Sequence, residues 1–204
     1  MISGDDIFDR PIYGYDGYIQ TKPEFFRERI AALTPALNAA RINMRAIEEK
    51  FNEGWNNGAG DYIADMAVSK TNIGVLEGQI FENERYLYKV EQMQQDDEFP
   101  FIDRNEYEMA AAAANKALLD YGPQVYRTVG HVDMSIATWN FSKNPAYLPQ
   151  LQFHVRDYLE ANYQFGREDG KFQENRRLAA EMDKRLKAAG GIKTVQSVLG
   201  LPDK

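Results

Sequence analysis

PEFFRERIAALTPALNAARINMRAIEEKF, residues 23 to 51, decides the architecture. Phe26, Ile30, Leu33, Leu37, Ala40, Met44, Ile47 and Phe51 recur at alternating steps of four and three without a slip of phase. Residues so spaced form one narrow stripe on an α-helix, which packs lengthwise against other helices. Pro23 suits a first helical turn, and Thr21 with Glu24 makes the Thr-x-x-Glu arrangement of a capping box, so the predicted helix runs from Pro23 to about Glu53. Pro35 falls inside it. In the heptad that seats Ile30 and Leu37 at a and Leu33 at d, Pro35 takes f, the outermost position. An outward-facing bend and a break re-capped by Thr34 both keep the stripe in phase.

Working outward, Gly54-Trp55-Asn56-Asn57-Gly58-Ala59-Gly60 is a turn by composition. Trp55 either packs under it or projects as an interface anchor. A second helix is predicted from about Asp61 to Gln95, with Tyr62, Met66, Ile73, Leu76, Ile80, Leu87 and Val90 on the continuing frame and Ser69 and Asn83 as polar seam residues. The two helices make an antiparallel hairpin about 45 to 50 Å long at ~1.5 Å per residue. Gly74 and Gly78 lie at b and f, away from the seam. Each costs a helix roughly 1 kcal/mol relative to alanine. Their spacing of four permits close approach by the backbone of a third helix or of another chain.

Asp103 with Glu106 opens a third helix, whose seam of Tyr107, Ala111, Ala114, Leu118 and Tyr121 is predicted to stop at Gly122-Pro123. Residues 124 to 142 read as helix through Val125, Val129, Val132, Ile136 and Trp139. A short hairpin is the alternative, because Val132, Met134 and Ile136 also alternate. Asn144-Pro145 and Pro149 mark a loop and a further helix to about Phe165. Gly166 and Gly170 are expected to break it before a last helix through Leu178, Met182 and Leu186, ended by Gly190-Gly191. No internal repeat is read from the pattern.

Residues 1 to 22 form an extended arm carrying Phe8, Tyr13, Tyr15 and Tyr18, which must dock on the body of the protein or on a neighbour to be covered. The tail from Ile192 to Lys204 needs the same for Val195, Val198, Leu199 and Leu201. The expected fold is all-α: a long antiparallel hairpin packed with further helices into an elongated bundle, with an extended N-terminal arm and a short C-terminal tail. Arm (1–22), hairpin plus third helix (23–121) and C-terminal helical region (122–204) are read as one continuous unit.

The chemistry the chain can support is narrow. With 24 basic and 31 acidic residues and a net charge of -7, no block of Lys and Arg offers a phosphate-binding surface, and nucleic acid is not an expected partner. The densest basic group, Arg176, Arg177, Lys184, Arg185 and Lys187, is interleaved with Glu174, Glu181 and Asp183 and reads as a solvated face. There is no cysteine, which removes disulfides, thiolate nucleophiles and Cys-ligated metals. No stretch approaches the roughly 18 apolar residues of a membrane span. The start, Met-Ile-Ser-Gly-Asp-Asp, lacks the basic and apolar runs of a secretory signal, so a soluble chain made in the cytoplasm is expected.

His131 and His154 are the two imidazoles. Thr128 and Leu151 stand three residues before them, so the Glu-x-x-His signature of di-iron bundles is absent, as is a His-Glu-x-x-His zinc motif. His154 and Asp157 share a helix face and read as a surface hydrogen bond. Neither cofactor nor metal is expected. The reading is a non-enzymatic structural subunit that oligomerises or docks on other proteins, with Phe8, Tyr13, Tyr15, Tyr18, Trp55, Gly74, Gly78, Val195, Val198, Leu199 and Leu201 as interface candidates. A virion or phage particle component is one setting such an arm-and-bundle chain fits. A monomeric acidic binding module is the alternative, and an enzyme using a convergent His131 and His154 is the third reading.

Overall fold

The computed structural model describes residues 11–12, 21–53, 59–98, 100–188 and 193–194. Four long helices account for nearly all of them: α1 (Pro23–Glu53), α2 (Ala59–Gln95), α3 (Arg104–Ser142) and α4 (Leu148–Ala188). A 3-10 turn, Pro145–Tyr147, joins the last two. The helices form an all-α bundle. In the arm, β1 (Pro11–Ile12) pairs antiparallel with β2 (Lys193–Thr194), so these pieces of the two ends of the chain meet each other. The other arm residues up to Gln20, including Phe8, Tyr13, Tyr15 and Tyr18, and the tail residues Val195, Val198, Leu199 and Leu201 lie outside the described residues, as does Trp55.

Two long helices begin as the sequence reading predicts. Pro23 opens α1, and Asp103 caps α3 by accepting the Asn105 N–H at 2.8 Å. The Thr21 capping box does not form. Thr21 is buried, its N–H donates to the Pro100 carbonyl (2.9 Å) and its hydroxyl accepts from the Ile102 N–H (3.4 Å). The hydroxyl therefore clasps the α2–α3 connection instead of capping α1. At the end of α2, Asp97 adopts a left-handed conformation (φ 55°) while the Glu98 N–H reaches back to the Met93 carbonyl, the pattern of a Schellman ending.

α1 runs through Pro35, whose position is exposed, as the reading of an outward proline inside one helix expects. Two predicted interruptions are absent. α3 runs through Gly122-Pro123, so the boundary drawn at residue 122 falls inside one helix. Pro123 is exposed, and a helix accommodates an outward proline by bowing so that the orphaned carbonyl meets water. Gln124 adds a side-chain bond to the Asp120 carbonyl (3.3 Å) beside it. Residues 124 to 142 are helix, not hairpin. The break expected at Gly166 and Gly170 is the second: α4 is continuous across both.

What those glycines do instead organises the molecule. α2 contacts α1 on one side and α4 on the other, and α4 contacts α3, so α2 and α4 form a central pair flanked by the other two helices. In an up-down-up-down chain α2 and α4 run parallel, and here they touch backbone to backbone. A Cβ built on Gly78 would lie 2.1 Å from the Arg167 carbonyl oxygen, and one on Gly170 would lie 2.0 Å from that of Val75. Gly74 and Gly166 repeat the contact one turn earlier. The third element anticipated against Gly74 and Gly78 is thus α4 of the same chain.

The pair also reveals an internal repeat that the apolar pattern hides. Gly74-x3-Gly78-x3-Glu82-Asn83 and Gly166-x3-Gly170-x3-Glu174-Asn175 carry the same four residues at the same spacing, at matching levels of two helices that face each other. On either side of this spine the core divides in two. Phe26, Tyr86, Val90, Ile102, Tyr107 and Leu178 draw one residue set from all four helices near the α2–α3 connection. Leu37, Met44, Met66, Ile73, Val132 and Leu151 do the same toward the other end. Each such apolar side chain contributes about 1.5 to 3 kcal/mol on full burial.

Candidate functional site

Below the glycine contact, the repeated Glu-Asn pairs close a reciprocal polar clasp. Asn83 donates to Glu174 Oε1 at 2.8 Å, and Asn175 hydrogen-bonds Glu82. Each Asn also anchors to its own helix four residues back, Asn83 to the Gln79 carbonyl (2.8 Å) and Asn175 to that of Lys171 (2.9 Å). Each Glu pairs with the Arg three residues on, Glu82 with Arg85 at 2.7 Å and Glu174 with Arg177 at 2.5 Å. The symmetry then breaks. Arg29 reaches Glu174 from α1 at 3.3 Å, and Tyr86, whose counterpart is Leu178, donates to Asn175 Oδ1 at 2.8 Å.

The two carboxyls consequently titrate apart. Burial pushes Glu82 above the usual carboxylate range, and its bonds to Asn175 and Arg85 only partly offset that. Burial opposes ionisation of Glu174 too, but Arg177, Asn83 and Arg29 together hold it below that range. Both groups are enclosed among side chains of the same chain, so the clasp sets the register of α2 on α4. The basic group of α4 is divided likewise. Arg177 and Arg185 turn inward over the Phe25 ring at 5.3 and 4.4 Å, whereas Arg176 and Lys184 are exposed.

The two histidines converge. Their ring centroids lie 5.3 Å apart between α3 and α4, and Ser135 Oγ sits 2.6 Å from His154 Nδ1 beside a small cavity of about 70 Å³. The expected His154–Asp157 hydrogen bond is not among those of the described residues, where His154 Nδ1 pairs with Ser135, so Asp157 does not orient this imidazole in the manner of a triad. Ser135 stands mid-helix, where the neighbouring backbone N–H groups are committed to the i→i−4 ladder and offer no oxyanion hole. The arrangement is a serine–imidazole hydrogen bond with a second ring against it. Among the described residues no group of three or more His, Asp or Glu is placed to hold a metal ion.

A larger cavity, about 300 Å³, opens between α1, α2 and α4. Its lining alternates in sign: Glu77 joins Arg41 (2.8 Å) to the Tyr163 hydroxyl (2.5 Å), with Arg45, Glu48 and Lys70 around them. Burial and the Glu77 carboxylate push Tyr163 up to about 12. Three basic side chains, Arg41, Arg45 and Lys70, and three acidic ones, Glu48, Glu77 and Glu160, share the lining, so it is no single-sign pocket for an ionic ligand.

The outer face of α3 is different in kind. Met109, Leu119, Tyr126, Met134 and Phe141 are 67, 71, 79, 69 and 95% exposed. At 100° per residue they lie within about one quadrant of the helix, opposite the face where Tyr107, Ala111, Ala114, Val132 and Ser135 are buried. Exposed Pro123 and Ala137, with half-exposed Gly130, fill the steps of three and four from Leu119 to Phe141; Ala112 follows Met109, and exposed Lys116 stands on the same face between Ala112 and Leu119. α3 therefore carries two apolar stripes and buries one. Ile42 and Val68, also exposed, stand singly on other helices. The sequence reading caught the inward stripe of α3 and missed the outward one. The signal was available in the spacing of Leu119, Tyr126, Met134 and Phe141, but Gly122-Pro123 split it in two.

No helix among the described residues is long and apolar enough to cross a membrane. The sequence matches no family model, and neither a curated protein nor a solved structure shows significant similarity to it.

Proposed function

We propose that this chain is a non-enzymatic structural subunit that assembles with protein partners through the outer face of α3. The observation that carries the reading is the unburied apolar stripe on that helix, from Met109 to Phe141. Such a stripe spans about 48 Å at ~1.5 Å per residue. Isolated exposed apolar residues are ordinary on any protein, but a contiguous line of them along one rigid helix marks an interaction surface. The inner clasp supports the same reading indirectly. It is built for rigidity, fixing α2 on α4, and a rigid scaffold is what presents α3 without cost in ordering.

The convergence of His131, Ser135 and His154 favours a second reading, a hydrolytic site at that end of the bundle, but it supplies neither an orienting carboxylate nor an oxyanion hole. Light scattering of the full chain across a hundredfold concentration range tests the first reading. A concentration-dependent mass above that of one chain, weakened about tenfold or more by Leu119→Asp at unchanged helix content, is the expected result. A single-chain mass at every concentration, with Leu119→Asp indistinguishable in binding anything from its source, would refute it.

A further inference from the structure

We infer that the occupant of the α3 face is α3 of a second copy, laid antiparallel about a two-fold axis at the level of Gln124 and Tyr126. This rests on the assembly reading above and specifies its partner and geometry.

The stripe is self-complementary when reversed about that level. Met109 then meets Phe141 of the second copy, closing each end with a large apolar pair. Ala112 and Ala113 meet Ala137 and Thr138, small against small. Leu119 falls opposite Gly130, an exposed-side position where an added Cβ would touch nothing within 4 Å in the single chain. This is a knob facing a hole, the local geometry by which helices interdigitate. Charge selects the same orientation. In an antiparallel pair, residues on one flank of the stripe face the same flank of the other helix. Asp120 and Arg127 share a flank and are both exposed. Reversal brings Asp120 of one copy within about one turn of Arg127 of the other, twice by symmetry. In this register Lys116 lies opposite Met134, where its aliphatic stem can cover the thioether while the ammonium reaches water, whereas an in-register parallel pairing would set Lys116 beside its own counterpart.

The size is adequate as well. A stripe ~48 Å long and ~10 Å wide buries on the order of 500 Å² per copy, or about 1,000 Å² in all, the lower bound for a specific protein–protein interface. An interface reached by one self-complementary helix also closes: two copies satisfy each other and leave no unpaired half for further addition.

The absence of cysteine from the sequence makes the test direct. Tyr126→Cys and Pro123→Cys each place a thiol beside the axis, and Ile42→Cys places an exposed thiol on α1 as a control. Under mild oxidation, or with a short bis-maleimide, both axial variants are expected to form covalent dimers at least tenfold faster than the control. Met109→Cys chains alone are expected to cross-link no faster than the control, but to do so readily when mixed with Phe141→Cys chains. Two outcomes overturn the geometry while leaving assembly standing: an oligomeric protein in which neither axial variant cross-links, or one in which Met109→Cys links to itself. An uncross-linked wild-type chain that stays monomeric at every concentration overturns both.

Discussion

Residue by residue, the four interfacial glycines carry the tightest constraint among the described residues. With backbone oxygens 2.0 to 2.3 Å from any added Cβ, Gly74, Gly78, Gly166 and Gly170 admit no side chain unless α2 and α4 separate. Gly170→Ala is expected to destabilise the fold by about 2 to 3 kcal/mol in urea denaturation. Gly130→Ala, where an added Cβ meets nothing within 4 Å in the single chain and no proline follows, should stabilise the dilute chain by about 0.5 to 1 kcal/mol. Glu82 and Glu174 make a second contrast at matching addresses. Glu174 has its pKa depressed in the fold, so its contribution is complete above the ordinary carboxylate value of 4.5 and is lost as pH falls through the folded value. Glu82 has its pKa raised, so its contribution is complete at low pH and is lost as pH rises through the folded value. Glu174→Gln should therefore cost about 1 to 2 kcal/mol at pH 7, with the loss vanishing in acid, since Arg177 and Arg29 are part-exposed and rehydrate. Glu82→Gln mimics the protonated form and should leave stability at pH 7 equal or higher. Unfolding curves between pH 3 and 8 distinguish the two.

At the scale of the element, apolar periodicity was a reliable guide to which segments are helical and a poor guide to where they end. The seam from Phe26 to Phe51 marked α1 because burial on one face repeats every three or four residues. Pro123, Gly166 and Gly170 read as stops because local propensity penalises them, but tertiary packing won at all three. Pro123 turns outward, and the two glycines are there because a neighbouring backbone takes the space of their side chains. Such a requirement is invisible until the neighbour is known. Pro35→Ala is expected to stabilise α1 by about 1 to 2 kcal/mol, since it restores a backbone N–H on an exposed face and gives back only part of the rigidity proline lends the unfolded chain. Thermal denaturation followed by far-UV circular dichroism measures it. The inner clasp was half legible: Asn83 stood out as a polar seam residue, but its partner Glu174 read as a surface charge among arginines.

For the whole molecule, the central α2–α4 pair explains why two helices flank it without closing a symmetrical ring. Because α2 and α4 meet at backbone distance, α1 packs chiefly on α2 and α3 chiefly on α4, and α3 leaves its outer face uncovered. The candidate surface follows from this layering, which no linear pattern discloses. Association through that surface is expected to add thermal stability that rises with protein concentration, and Leu119→Asp should abolish the concentration dependence while leaving the dilute midpoint unchanged. The spine has a further effect on who can pair with whom. Each half of the chain bears the same Gly-Gly-Glu-Asn lock, which would let a half pair with its own kind. The mismatch beside it discourages that pairing. One Tyr86 and one Leu178 fill the adjoining core, whereas like-with-like pairing would crowd two phenol rings into that room or leave it underfilled with two leucines. A ring on one side and an aliphatic branch on the other thus act as a molecular tally, by which a first half matches a second half and not another first.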